Sequence, residues 1–370
     1  MVTWLLLGVL EESAAVYGES RALMGIPPLI LLIVGGVYAD RINPRMMLFV
    51  ISLFAVFVPL VLIAVLGVLH VYMVVAFGTA IALINALGDP ARQAMVNRVT
   101  RIDIQRSIVI VTVIPSFIGI FGMLFGTQLE NFGIAPILLI LSGLFLLSAL
   151  AVLGLPKLEP ITTARIGLID GWKAFWQTHL VRRVIGMNFV SAIFNAGGYM
   201  VAMPLIATRV YEGDAAFLTY MFVCFTIGST GSNVVLFFLM PLMYPGRTFI
   251  AMQLTRALII LGVLIQPSDV IFLVLVGLWG VNMGVTSTLV RTTVQELAPA
   301  EHRAKILSFL LFGFMLSSPI SAFILGWLIE LTDPLTGLIP GIPISVGIFV
   351  YGLFFSGLWH YRADRPELTQ

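Results

Sequence analysis

The sequence predicts an all-α integral membrane protein: two parallel-repeat bundles of six helices each, with the first helix truncated and eleven complete spans. Three observations predict this class. Hydrophobic residues make up 59% of the chain and charged residues only 10%, against roughly 25% charged in soluble domains, so most of the outer surface must face something other than water. Apolar runs of about 20 residues recur along the chain, the length a helix needs to cross a hydrocarbon core about 30 Å thick. Short sequence matches recur about 200 residues apart, as they do in a chain built of two copies of one unit.

Taken in order, the apolar runs place spans at 22–39, 46–68, 70–92, 107–128, 133–154, 183–208, 214–240, 248–266, 269–290, 304–330 and 338–360. Residues 1–10 are apolar, yet they rise only about 15 Å at 1.5 Å per residue and cannot cross alone. A cleavable signal peptide is a poor reading, because no basic residue precedes this run and no small-residue cleavage site follows it. The organisation expected is an N-terminal bundle at 1–155 (helix 1 in part, helices 2–6), a cytoplasmic linker at 156–182, a C-terminal bundle at 183–361 (helices 7–12) and a cytoplasmic tail at 362–370. Leu168, Ile169, Trp172, Phe175, Trp176 and Leu180 fall at near-helical spacing in the linker. They suit an amphipathic helix lying along the membrane surface, or a linker whose aromatics anchor there.

Basic residues set the orientation, because Lys and Arg near helix ends stay cytoplasmic. Alternate connections, beginning with 40–45 and ending with the tail, carry 17 of the 20 basic residues. The opposite set carries Arg21 and Arg209, and Arg256 lies within a span. The loop 40–45 and the C-terminus are therefore expected on the cytoplasmic side.

The internal repeat joins V-N-R-V-T-R-I-D (Val96 to Asp103) to V-Q-E-L-A-P-A-E (Val294 to Glu301) at a separation of 198. It joins N-P-R at Asn43 to P-G-R at Pro245 at 202. Parallel duplication of this kind distinguishes one large class of carriers from those built on inverted repeats. The first span of the second half begins near Arg183, so its counterpart is expected to begin roughly 17 residues before Met1, which places Met1 inside helix 1.

The segment Gly35 to Leu48, G-G-V-Y-A-D-R-I-N-P-R-M-M-L, resembles the cytoplasmic loop motif between helices 2 and 3 of the major facilitator superfamily, G-x-x-x-D-R-x-G-R-R. The glycine, Asp40, Arg41 and the final Arg45 match; Asn43 and Pro44 depart from it. G-D-P-A-R-Q-A-M-V (Gly88 to Val96) and V-Q-E-L-A-P-A-E-H-R-A-K-I-L-S (Val294 to Ser308) look like the enterobactin-exporter-like branch, and the likeness covers essentially the whole chain. The resemblance implies a rocker-switch carrier, in which two bundles expose a central site alternately to each side. The branch implies outward movement of drug-like, largely apolar or siderophore-like molecules. The antiporter pattern of helix 5 is degenerate here, with Pro115 preceding Gly119, Gly122 and Gly126.

Three sets of residues are candidates for the work. Asp40, Arg41, Arg45, Asp89 and Arg92 form a charge cluster, because a carboxylate withdrawn from water needs a cationic partner. It serves as a latch between bundles or merely fixes topology, and Pro90 beside Asp89 suggests a break in helix 4. Asn85, Asn188, Ser191, Asn195, Asn282 and Thr286 are expected to line a substrate cavity, or to hydrogen-bond between helices as membrane Asn and Ser commonly do. Asn188, Ser191 and Asn195 share one helical face. Arg256 lies nine residues beyond Arg247, about 13 Å into the membrane, where an ionisable residue is a functional candidate unless its long side chain snorkels out. Glu11 and Glu12, read as embedded near the outer end of helix 1, either carry a coupling proton or sit at the membrane interface. Gly119, Gly122 and Gly126, with Gly313 and Ser317, are expected at close helix contacts.

Other classes find little support. His70, His179, His302 and His360 are scattered singly and no H-E-x-x-H occurs, so an intramembrane enzyme lacks its cluster. No phosphate-binding G-x-x-x-x-G-K-S/T loop exists, no dense basic run calls for nucleic acid, and Cys224 alone makes neither a disulfide nor a thiolate metal site. The expectation is a monomeric, multi-pass plasma-membrane transporter of the bacterial inner membrane, surrounded by lipid and without a cofactor. It moves a small molecule, with proton coupling and efflux as the expected mode. Its rivals are a truncated, transport-incompetent fragment of such a carrier and, from a different class, an intramembrane enzyme.

Overall fold

The computed structural model describes residues 1–38, 43–99, 115, 117–156, 175–240, 242–299 and 302–363, and no β-strand occurs among them. A helical turn, α1 (Val2–Trp4), runs into a π-helical turn at Leu5–Val9. Then come α2 (Ala14–Tyr38), α3 (Pro44–Ala64), α4 (Val71–Val99), α5 (Phe117–Gln128) and α6 (Ile134–Leu153). In the second half α7 (His179–Gly197) continues through further turns to Val210 and is followed by α8 (Ala215–Leu239), α9 (Pro245–Leu264), α10 (Asp269–Leu297), α11 (Arg303–Leu331) and α12 (Gly341–Phe354).

Nine helices among the described residues are long and apolar enough to cross a bilayer. Of the eleven expected spans, 107–128 is described only from Phe117 onward, apart from residue 115, and is seen there as the short helix α5. The helix α2 has 25 residues, enough to cross by the same geometry. It starts eight residues before the expected span at 22, so Glu19 and Arg21 are helical rather than in a connection. Pro90 does not end α4, which is helical from Val71 to Val99. Most of the expected surface helix, residues 157–174, lies outside the described residues.

Local chemistry explains where the helices begin. The side chain of Asn43 accepts a hydrogen bond from the Arg45 amide at 3.0 Å, with Pro44 in the first turn. Both suit a helix start, since the cap fills an orphan donor and proline has no amide to waste. Thus the two departures from the loop motif, Asn43 and Pro44, serve as a cap. Pro245 opens α9 in the same way. There Arg247 lies 4.0 Å over the Tyr244 ring and donates through Nε to the Trp359 carbonyl at 2.8 Å.

The duplication is much clearer in the backbone than in the side chains. Ala14 and Ala215, Pro44 and Pro245, and Val71 and Asp269 open paired helices at separations of 201, 201 and 198. The π-helical turns Leu5–Val9 and Ile206–Val210 are also 201 apart. Each ends in the same cap. The Leu10 amide donates to Leu5 and the Glu12 amide to Leu6; Tyr211 donates to Ile206 and Gly213 to Ala207. Between these bonds Glu11 (φ 51°) and Glu212 (φ 50°) take up the left-handed region, which a residue with a Cβ enters at a cost of about 1–2 kcal/mol. Segment 1–12 therefore has the backbone of the end of α7. The structural register is 201 at Pro44, one less than the N-P-R match suggests.

The chain divides into two compact units, Met1–Arg165 with Asp214–Thr219, and Ile166–Gly213 with Tyr220–Gln370. In the first, α3 packs along α6 and α4, and α2 along α4. Leu48, Ala91, Met95 and Val152 form a small buried cluster. In the second, α9 packs along α12 and α10, and α7 along α11, so the α3–α6 pair of one unit repeats as α9–α12 of the other. Phe54, Phe57 and Val61 are 62%, 56% and 64% exposed along α3. Such an apolar stripe needs a partner that is not water.

Of the glycines expected at close contacts only Gly126 makes one, and the closest helix crossings occur at other glycines. A Cβ on Gly228 would fall on the Gly277 carbonyl, and one on Gly280 on the Phe225 carbonyl, so α8 and α10 touch backbone to backbone. Gly119 and Gly122 instead face open space, and Gly313 has only an ordinary contact with Phe189. Gly126 sits 3.2 Å, by its Cβ position, from the Thr219 hydroxyl. Small-residue spacing marks a helix face that permits approach; which face meets a neighbour depends on the neighbour.

Candidate functional site

The charge cluster is only partly visible. Asp40 and Arg41 lie outside the described residues. Arg92 pairs with Asp89 one turn earlier on α4, at 2.6 Å, and both side chains are more than half exposed. Arg45 donates to the Leu153 carbonyl at the end of α6, which ties the start of α3 to its main packing partner. An exposed pair of this kind contributes about 0–1 kcal/mol, so Asp89–Arg92 adds little to stability.

Glu11 and Glu12 were expected within a helix. They occupy the non-helical link before α2, with Glu11 exposed and Glu12 half-buried. The left-handed Glu11 backbone breaks the helix there.

Arg256 is the organising residue of the second unit. It sits eleven residues into α9 and is 3% exposed, so it does not snorkel. Its guanidinium turns inward to three helices. One terminal nitrogen donates to Ser191 Oγ on α7 and, at 3.2 Å, to Gln253 Oε1 one turn back on α9; the other donates to Asn282 Oδ1 on α10 at 3.2 Å. Ser191 in turn donates to Gln253 Oε1 at 3.1 Å. Asn282 Nδ2 donates to the Met252 carbonyl at 2.5 Å and to Thr255 Oγ1 at 2.8 Å. Every acceptor of the guanidinium is neutral, and its Nε is buried without a partner. Among the described residues no carboxylate pairs with it.

This arrangement is unusual in energy. An ion withdrawn from water loses several kcal/mol even after relaxation, and neutral acceptors return only part of that. The favourable hydrogen bonds orient α7, α9 and α10 relative to one another, while the positive charge meets no counter-charge among the described residues.

The expected cavity stripe divides accordingly. Ser191, Asn195, Asn282 and Thr286 are buried and bonded inside the second unit rather than open to a cavity. Asn195 accepts from the Trp279 indole, and Thr286 donates to the Asn282 carbonyl at 2.8 Å. Asn188 is half-buried and Asn85 exposed on α4. The helical face that carries Asn188, Ser191 and Asn195 thus turns progressively into the bundle. Gln253, Thr255 and Trp279 were missed. Gln253 and Thr255 had a signal, since both flank Arg256 in the run Q-L-T-R; Trp279, fully buried against Gly198, had none.

Comparison with known proteins agrees with this architecture. The nucleoside transporter NupG, solved as a point mutant, superposes with a TM-score of 0.74 at 15% identity, covering 95% of each chain. A bacterial homologue of the human lysosomal transporter Spinster, solved inward-facing and unoccupied, gives 0.63 at 13% identity, over 97% of this chain and 92% of that one. The same protein in its inward-facing occupied form also gives 0.63. At such identities the likeness shows the fold alone. No curated protein sequence matches the chain. The family model of the Major Facilitator Superfamily matches residues 3–322, and with its duplicated helical units the chain belongs to that superfamily: a multi-pass membrane transporter of small molecules and not an enzyme.

Proposed function

We propose that this transporter is an exporter of the enterobactin-exporter-like branch, working by alternating access in a bacterial inner membrane with its C-terminus in the cytoplasm. Its substrate in this reading is a neutral or anionic, siderophore-like molecule rather than a cationic drug. The observation that carries the choice is Arg256, a buried cation whose partners are Ser191, Gln253 and Asn282 and whose charge no described carboxylate balances. Two like charges 10 Å apart repel by about 1.7 kcal/mol at an effective dielectric of about 20. That is enough to disfavour a cation on the α7–α10 side more than tenfold.

The reading gives the other candidates supporting roles. Asp40, Arg41, Arg45, Asp89 and Arg92 form the cytoplasmic charge cluster that breaks as the carrier opens inward. Asn85 and Asn188, the least buried of the amides, contact substrate. Glu11 and Glu12 carry the coupling proton. Everted membrane vesicles, energised by respiration and offered either a tricatecholate siderophore or ethidium, test the proposal. Uptake of the catecholate with ethidium excluded supports it, and R256Q is expected to admit ethidium. Uptake of ethidium in preference to the catecholate by the parent chain overturns it. Uptake of uridine alone would favour a nucleoside carrier.

A further inference from the structure

A groove of about 580 Å³ runs between the first half of α7 and the middle of α12, entirely within the second unit. Its volume lies within the range of small-molecule sites. Arg182 and Arg183 stand at one end. From there the floor and walls are apolar, with Gly186 and Val190 on α7 and Gly347 and Ile344 on α12.

The glycines keep the groove empty rather than closing a helix contact. A Cβ on Gly186 or Gly347 would meet nothing within 4 Å, whereas Gly197 further along α7 is held tightly against Ser321. Gly186, Val190 and Gly347 are all exposed. The groove is therefore open along the surface of α7, a helix long and apolar enough to span the membrane.

The two arginines carry charge that the described residues do not neutralise. Arg182 donates to the Trp176 carbonyl at 3.0 Å, lies 3.0 Å from His179 Nδ1 and stacks 5.1 Å over the Trp176 ring. Arg183 donates to the Ser356 carbonyl at 3.1 Å. None of these partners is anionic. The arginines are the fourth and fifth residues of α7, close to the positive end of its dipole, where an external anion is favoured. Seven residues separate Arg183 from Val190, a rise of about 10 Å, which suits the step from headgroup to acyl chain.

From this geometry we infer that the groove binds one anionic phospholipid. Its phosphate lies against Arg182 and Arg183, and one acyl chain lies over Gly186 and Gly347. The glycines supply the width for the chain, and the two arginines supply the preference for a headgroup of net negative charge. This inference is independent of what the carrier transports.

Native mass spectrometry of the intact chain, released from micelles doped equally with phosphatidylglycerol and phosphatidylcholine, tests it. One retained phosphatidylglycerol is expected, favoured about thirtyfold over phosphatidylcholine, as two basic residues at an anionic surface give. The double variant R182Q/R183Q is expected to retain both lipids equally. G347L fills the groove and is expected to lose the bound lipid while keeping the helical circular dichroism of the parent. Equal retention of the two lipids by the parent chain, or undiminished phosphatidylglycerol in R182Q/R183Q, overturns the inference. So does a folded G347L that holds lipid as the parent does. If G347L does not fold, the arginine variant decides alone.

Discussion

Replacing Arg256 by methionine is expected to leave the protein as stable as the parent or slightly more so. The guanidinium makes three hydrogen bonds, to Ser191, Gln253 and Asn282. Polar contacts between membrane helices average about 0.6 kcal/mol each, so their loss costs about 2 kcal/mol. Ser191 and Gln253 keep their own bond at 3.1 Å, which leaves Asn282 Oδ1 as the acceptor without a donor. Against this, an arginine at the centre of a membrane helix costs about 3 kcal/mol on insertion scales, and methionine of similar length fills the same space. The difference is about 1 kcal/mol in favour of R256M. R256A gains the same relief but leaves a void, and truncating a large buried side chain costs about 2–5 kcal/mol, so it is expected to be less stable than the parent. Equilibrium unfolding of the three purified proteins in mixed micelles measures both. A loss of 3 kcal/mol or more in R256M would refute the reasoning, because that is the penalty for breaking a buried ion pair and would mean that Arg256 has a counter-charge.

Four further outcomes are expected. N282A removes the bonds from α10 to the Met252 carbonyl and Thr255 together with an acceptor of Arg256, and should cost about 1–2 kcal/mol in the same unfolding assay. G228A places a methyl on the Gly277 carbonyl at the α8–α10 crossing and should cost about 1–3 kcal/mol. G119A enters open space and should be neutral or stabilising. Asp333, in the link between α11 and α12, has its carboxyl held below the ordinary value by hydrogen bonds from the Thr336 side chain, then from the Thr336 and Leu335 amides. A depressed carboxylate stabilises at pH above its unfolded value and loses that contribution as pH falls through its folded value. The stability difference between the parent and D333N should therefore be largest near neutrality and fade as pH drops through the lowered Asp333 value.

Much of the architecture was legible from composition alone, because a bilayer imposes length and apolarity on every helix that crosses it. Boundaries were less legible. The start of α2 at Ala14 escaped notice because Glu19 and Arg21 read as a connection, although a helix continues freely past the membrane edge. The repeat was visible in two short motifs, yet its firmest mark is the pair of left-handed glutamates, Glu11 and Glu212, which no side-chain pattern announces. Arg256 and Asn282 stood out as polar residues in apolar runs. Their joint site with Ser191 and Gln253 could not be read, because partners on α7, α9 and α10 are separated by 26 to 65 residues. The same limit misplaced the close-packing glycines other than Gly126. Spacing marks the small face of a helix, and tertiary contact decides whether anything approaches it.

The central claim, alternating access by two bundles, is tested most directly by spin-label distances in proteoliposomes. In a C224S background, one label pair at Val68 and Ile265 marks the ends of α3 and α9. A second pair, at Met46 and Phe238, marks the opposite membrane face. All four positions are more than half exposed. Addition of the tricatecholate is expected to shift the two distance distributions in opposite senses, one pair closing as the other opens. Distances that shift in the same sense, or that stay fixed in vesicles that accumulate the compound, would contradict the account.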